Sequence, residues 1–89
     1  MVEKEIVVKN KLGLHARAAV KFVNLANRYR SAVKVVKDET EIDGKSILGI
    51  LTLAATQGTP IMIRVSGKDE EEAMKALVKL ISSKFGEKE

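Results

Sequence analysis

The chain has 89 residues, with 16 Lys and Arg against 12 Asp and Glu, one histidine and no cysteine, and a formal net charge of +4. This length supplies one core and leaves no room for a large internal cavity, so a single domain over residues 1–89 with its chemistry at the surface is expected. Without cysteine there are no disulfides, Fe–S clusters or thiolate zinc sites, and a lone histidine cannot hold zinc, so neither a metal nor a cofactor is expected.

Ile6-Val7-Val8 predicts a short first strand, and Asn10 with Gly13 supplies turn residues before a helix. From Ala16 to about Arg28, the residues Ala19, Phe22, Val23 and Ala26 recur at helical spacing and define a core face. Ser31 to Lys37 alternates as a strand, Asp38-Glu39 turns the chain, and Thr40 to Asp43 returns as a short strand, making a hairpin. Ser46 is placed to cap a short helix over Ile47 to Leu53. Gln57 to Pro60 is a turn, and Ile61 to Ser66 alternates as a strand that Gly67-Lys68 ends. Asp69 and Glu72 have capping-box spacing at the start of a last helix, whose stripe Ala73, Leu77, Leu80 and Ile81 ends near Gly86. Glu87-Lys88-Glu89 is expected to fray.

The order βαββαβα predicts an α+β fold, with an antiparallel sheet covered on one face by three helices. The pattern leaves the strand order open.

The chemistry concentrates at Gly13-Leu14-His15-Ala16-Arg17, where the single histidine lies between a glycine turn and a helix start. The free N–H groups and dipole of a helix N-terminus favour an anion, and Arg17 adds a permanent cation. Neutral imidazole is a nucleophile toward phosphorus, so His15 is a candidate phosphoryl acceptor with Arg17 as its phosphate ligand. Such a group alone is more often structural or merely exposed, and it is the combination with Arg17 and the helix start that reverses that reading.

Read from its position alone, Ser46 is an N-cap, which explains a serine there without modification. Ile47, Leu48, Ile50 and Leu51 exceed what a short helix can bury, and Val20 lies off the first helix's core stripe. Val20, Ile47, Leu48 and Leu51 are therefore expected to form an exposed apolar patch near His15, with Lys21, Arg28 and Lys45 as candidate bordering charges.

The mild positive charge suits an acidic partner surface better than nucleic acid. Only Phe22, Tyr29 and Phe85 are aromatic, which offers no stacking platform. A basic nucleic-acid-binding α+β domain remains the alternative outside phosphoryl transfer. No apolar run approaches the roughly 20 residues that span a bilayer, and the first residues lack a signal peptide's apolar region, so a cytoplasmic protein without membrane insertion is expected.

At Gly13-Leu14-His15-Ala16-Arg17 and Lys45-Ser46-Ile47-Leu48-Gly49 the chain resembles HPr, the histidine-containing phosphocarrier family of the bacterial sugar phosphotransferase system. The resemblance extends over nearly the whole chain, including the turn Gly67-Lys68-Asp69-Glu70. It implies an open-faced β-sandwich with strand order 1-4-2-3. It also implies that His15 takes phosphate on Nδ1 from phosphorylated Enzyme I, with phosphoenolpyruvate the ultimate donor, and gives it to sugar-specific IIA domains. Arg17 would contact the phosphate oxygens.

Ser46 resembles the serine modified by HPr kinase/phosphorylase, through which a catabolite-control transcriptional regulator would read the protein. Such a protein is a transfer intermediate rather than an independent enzyme, and a monomer is expected because it must expose one face to successive partners. A carrier of a nitrogen-related phosphotransfer branch and a purely regulatory HPr-like protein are the alternatives within the family. Two positions depart from the family pattern. Ala18 stands where proline usually follows the arginine, and Leu48 and Leu51 stand where many relatives have methionine.

Overall fold

Apolar and polar residues alternate along the strands, and this period of two decides which face of the sheet is covered. The computed structural model describes residues 1–87. Its elements in chain order are β1 (Val2–Val7), α1 (Ala16–Ala26), β2 (Ala32–Lys37), β3 (Thr40–Asp43), α2 (Ile47–Leu53), β4 (Pro60–Ser66) and α3 (Glu70–Ser82), followed by a 3₁₀ turn at Lys84–Gly86. The four strands form one antiparallel sheet in the order β1-β4-β2-β3, the order the resemblance implies.

The register sets Ile6 opposite Ile61, Val33 opposite Val65 and Val35 between Ile63 and Ile42. All of these except the half-buried Ile42 are buried, in one cluster with Ala19, Phe22, Val23, Ala26, Ile50, Leu53, Ala73, Leu77, Ile81 and Phe85 from the helices and the final turn. Each large aliphatic or aromatic side chain so removed from water contributes about 1.5–3 kcal/mol before the entropic cost of ordering it. The other face of the sheet is uncovered and mixed, with Val36 and Met62 half-buried among charged side chains. There Arg64 on β4 donates to Glu3 on β1 at 2.5 Å and to Glu41 on β3 at 3.2 Å, bridging the width of the sheet.

The structure moves several boundaries. The first strand begins at Val2 rather than Ile6, because Glu3, Lys4 and Glu5 join the ladder with β4 on an edge strand, and their charges hide it. The first helix stops at Ala26, with Asn27 as its C-cap. The expected capping box at Asp69 does not form. Asp69 makes no side-chain bond to its own helix and instead accepts from Arg30 and Ser31, while Glu70 reaches back to the N–H of Gly67 at 3.2 Å. In the last helix Met74 is buried and Leu80 is only half-buried, which rotates the core stripe toward the N-terminal turns.

Past α3 the chain does not continue as helix to Gly86. Lys84, Phe85 and Gly86 all take left-handed conformations, with φ of 58°, 57° and 76°, and fold the segment back under α1. Glu87, expected to fray, is held by side-chain hydrogen bonds, while Lys88 and Glu89 lie outside the described residues. Among the described residues, no helix is long and apolar enough to cross a membrane.

Candidate functional site

Gly13 shapes the loop that precedes α1. Its φ of 67° is left-handed, and a Cβ there would stand 2.4 Å from the carbonyl oxygen of Ala55. Only glycine lets the loop lie this close to the end of α2, where the N–H of Leu14 donates to that same carbonyl at 2.9 Å. Asn10, fully buried, braces the loop from inside. Its Nδ2 donates to the Gly13 carbonyl at 2.7 Å and to Glu87 Oε1 at 3.1 Å. This assignment of the amide sets donors against two acceptors, whereas the flipped amide would set oxygen against oxygen.

The next residue but one, His15, is the N-cap of α1. Its backbone is extended at φ −75° and ψ 178°, and its carbonyl accepts the first helical hydrogen bond, from Ala19, at 2.8 Å. The ring caps the helix as a serine or aspartate oxygen would, with Nδ1 accepting from the N–H of Arg17 at 3.2 Å. An N–H donated to Nδ1 requires a lone pair on that nitrogen, so the proton of the neutral ring sits on Nε2. Nε2 faces Glu87 Oε2 at 2.5 Å.

Two opposing influences act on the Glu87 carboxyl. Burial pushes it up, but hydrogen bonds from His15 and Asn10, with the nearby Lys21 cation, outweigh burial and hold it below the usual carboxylate range. The His15 and Glu87 side chains are 25% and 17% exposed, so the site is a shallow surface feature rather than a closed pocket.

Arg17 is exposed at the second helical position of α1, with its backbone N–H on the ring. Ser46 caps α2, its Oγ accepting from Gly49 N at 3.1 Å. Val20, Ile47, Leu48 and Leu51 are all exposed, Leu48 at 77%, on two helices that pack against each other, and Ile50 and Leu53 turn inward. Leu12, 69% exposed in the loop before His15, is a further apolar residue that periodicity did not reveal. Two of the candidate bordering charges hold backbone instead. Lys21 donates to the Phe85 carbonyl at 2.6 Å and Lys45 to the Tyr29 carbonyl at 2.8 Å.

Asn10 and Glu87 are the residues that local sequence reasoning left out of the site. Asn10 reads as an ordinary turn residue, and Glu87 lies 72 positions from His15, beyond any local pattern.

The sequence and the fold both have known relatives. Residues 2–83 match the family described as the PTS HPr component phosphorylation site. The chain is 48% identical to phosphocarrier protein HPr of Neisseria meningitidis over the full length of both chains. It is 46% identical over 81 residues to the HPr-like protein Crh of Halalkalibacterium halodurans, covering 91% of this chain and 96% of that protein. The crystal structure of HPr-C-His from Thermoanaerobacter tengcongensis superposes over the whole of both chains with a TM-score of 0.97 at 49% identity. With its sheet order, its sequence and its backbone all shared with these relatives, the chain belongs to the HPr family of the phosphotransferase system, whose members carry a phosphoryl group rather than act as independent enzymes.

Proposed function

We propose that His15 accepts a phosphoryl group on Nδ1 from phosphorylated Enzyme I and passes it to sugar-specific IIA domains. The observation that supports this most directly is the Nδ1 lone pair, held over the first turn of α1 with Arg17 adjacent. When phosphorus takes the place of the Arg17 N–H as partner of Nδ1, that N–H and its neighbours in the first turn become free to donate to phosphoryl oxygens. The Arg17 guanidinium swings in from solvent. Phosphoryl transfer depends mainly on positioning and charge stabilisation, and a shallow site lets successive partners reach the phosphorus from outside.

Val20, Ile47, Leu48 and Leu51 form the docking patch in this reading. Ser46 is the regulatory position, where phosphorylation by HPr kinase/phosphorylase would add roughly −1.5 to −2 charges beside that patch and repel an acidic partner face. The chain works as one cytoplasmic monomeric domain. The similarity to Crh favours a second, purely regulatory reading through phosphorylated Ser46 and a catabolite-control regulator, and the presence of His15 weighs against it.

The test is intact mass and ³¹P NMR after incubation with phosphoenolpyruvate, Mg²⁺ and Enzyme I, beside His15→Ala. One acid-labile phosphoryl group, absent from the variant, supports the carrier reading. No label with an active, cognate Enzyme I would favour the regulatory one, to be followed by ATP-dependent phosphorylation at Ser46.

A further inference from the structure

We propose that Glu87 is a positioning residue for His15, fixing the ring proton on Nε2 and so leaving the Nδ1 lone pair for phosphorus. The inference deepens the carrier reading and rests on it for its chemistry, though not for its geometry.

Three observations converge on Glu87. Its Oε2 receives Nε2–H at 2.5 Å while its Oε1 receives the buried Asn10 amide at 3.1 Å, so both carboxylate oxygens are committed and the group cannot rotate away freely. The segment that carries it is pinned within a tight turn, at Phe85. Phe85 is buried in the core, and Lys21 on α1 donates to its carbonyl at 2.6 Å. That turn is also strained, because Lys84 and Phe85 are consecutive non-glycine residues at φ near 58° and 57°, a conformation that costs L-residues energy and persists only where surrounding contacts impose it. The chain thus bends sharply to bring a carboxylate from beyond α3 to the one ring nitrogen that the helix start does not use.

The logic is that of a carboxylate orienting a catalytic imidazole. Left alone, the ring can rotate or exchange tautomers, and only one arrangement presents a lone pair at Nδ1. Contacts at both nitrogens, Arg17 N–H at one and Glu87 at the other, select it. During transfer the Nδ1 lone pair forms the new P–N bond, and the donor's P–N bond breaks with its electron pair returning to the donor nitrogen. The Nε2 proton stays on His15. The ring in that state is a phosphoimidazolium, and the Glu87 carboxylate is its counter-ion. Glu87, on Nε2, is an anion that keeps the phosphorylated ring protonated, the form in which imidazole leaves phosphorus most readily.

The test begins without any donor. In ¹⁵N-histidine NMR of the unphosphorylated protein, the neutral form of the wild-type ring should carry its proton on Nε2, and that proton should exchange slowly with water. In Glu87→Gln, which keeps shape and removes charge, that proton should exchange several-fold faster. After phosphorylation by Enzyme I and phosphoenolpyruvate, hydrolysis of the phosphoryl group followed against pH should lose its protonated-ring phase about 0.5 to 1 pH unit lower in Glu87→Gln than in wild type. Equal protection of the Nε2 proton in the two proteins, or coincident pH profiles, would overturn the proposal. Because the NMR comparison needs no donor, it decides on Glu87 even if Enzyme I fails to label the wild type, an outcome that instead overturns the carrier reading.

Discussion

Asp69 holds Ser31 by two hydrogen bonds at once: its Oδ1 accepts from the backbone N–H of Ser31 at 2.9 Å and from the Ser31 hydroxyl at 2.5 Å. The other oxygen accepts from Arg30 N at 2.9 Å, so a single carboxylate ties the turn after α1 to the start of α3. The Ser31 hydroxyl, then the Arg30 and Ser31 N–H groups, lower the Asp69 carboxyl from an ordinary 3.8 to about 2, against a smaller opposing effect of burial. A depressed folded-state value stabilises the fold fully above the unfolded value, and this stability is lost as pH falls through the folded one. Asp69→Asn should therefore lower Tm at neutral pH and flatten the loss of stability between about pH 4 and pH 2. Thermal melts across that range check it, and parallel curves for variant and wild type would contradict it.

Gly13→Ala should do more damage than its size suggests. The new Cβ meets backbone, the Ala55 carbonyl oxygen at 2.4 Å and Thr56 Cα at 2.9 Å, at a φ of 67° that L-residues resist. Together these cost about 2–4 kcal/mol, and relief requires the His15 loop to lift from α2. Urea unfolding should show the loss, and the phosphoryl-transfer rate measured on the remaining folded protein should fall with it. An unchanged unfolding midpoint would mean that the loop is not seated as described.

Most of the fold was legible because its signals are local. Thr40–Asp43 and Ile47–Leu53 follow from alternation and from the Ser46 cap, residue by residue. Strand order could not be read from the strands themselves, since Ile61 to Val65 would fit beside either of two neighbours, and it entered through resemblance. The capping box failed because an aspartate at that position serves equally well as an acceptor for Ser31, whose partnership spans 38 residues and leaves no trace in spacing. His15 and Arg17 announce themselves within five residues of a glycine. Glu87 does not, because it reaches the site only through the left-handed turn at Lys84 and Phe85, two residue types that give no sign of that backbone.

Asn10 links these distant parts, and Asn10→Ala should expose how much they depend on it. The substitution leaves the Gly13 carbonyl and Glu87 Oε1 without their buried donor. The expected cost is about 1–3 kcal/mol, with faster amide hydrogen exchange at Gly13 and Glu87 than elsewhere. Exchange that rises uniformly over the whole chain would show only a general loss of packing.

Ala18 is buried at the third position of α1, where its N–H has no carbonyl four residues back within the helix. It is thus an extra donor at the turn that faces the phosphoryl group in the proposed carrier state. Ala18→Pro removes that donor at a position where proline's fixed φ is compatible with a helix start. The phosphohistidine half-life should shorten by about threefold, the equivalent of a weak hydrogen bond of about 0.7 kcal/mol. Indistinguishable half-lives would remove any role for this amide.

Leu48 offers the sharpest separation of docking from folding. At 77% exposure it contributes little to the core, whereas Ile50 two residues on is buried at 1%. Leu48→Asp should change unfolding free energy by no more than about 0.5 kcal/mol, as substitutions at exposed positions do. A charge placed in the proposed docking patch should nevertheless slow phosphoryl transfer from Enzyme I by about tenfold or more, because a contact position desolvated on docking cannot accommodate it. Stopped-flow transfer kinetics at several Enzyme I concentrations distinguish the sources of any slowing: a higher half-saturation with the saturated rate kept indicates weakened docking. A lowered saturated rate would place the effect at His15 itself. An unchanged rate at every concentration would move the docking surface away from α2.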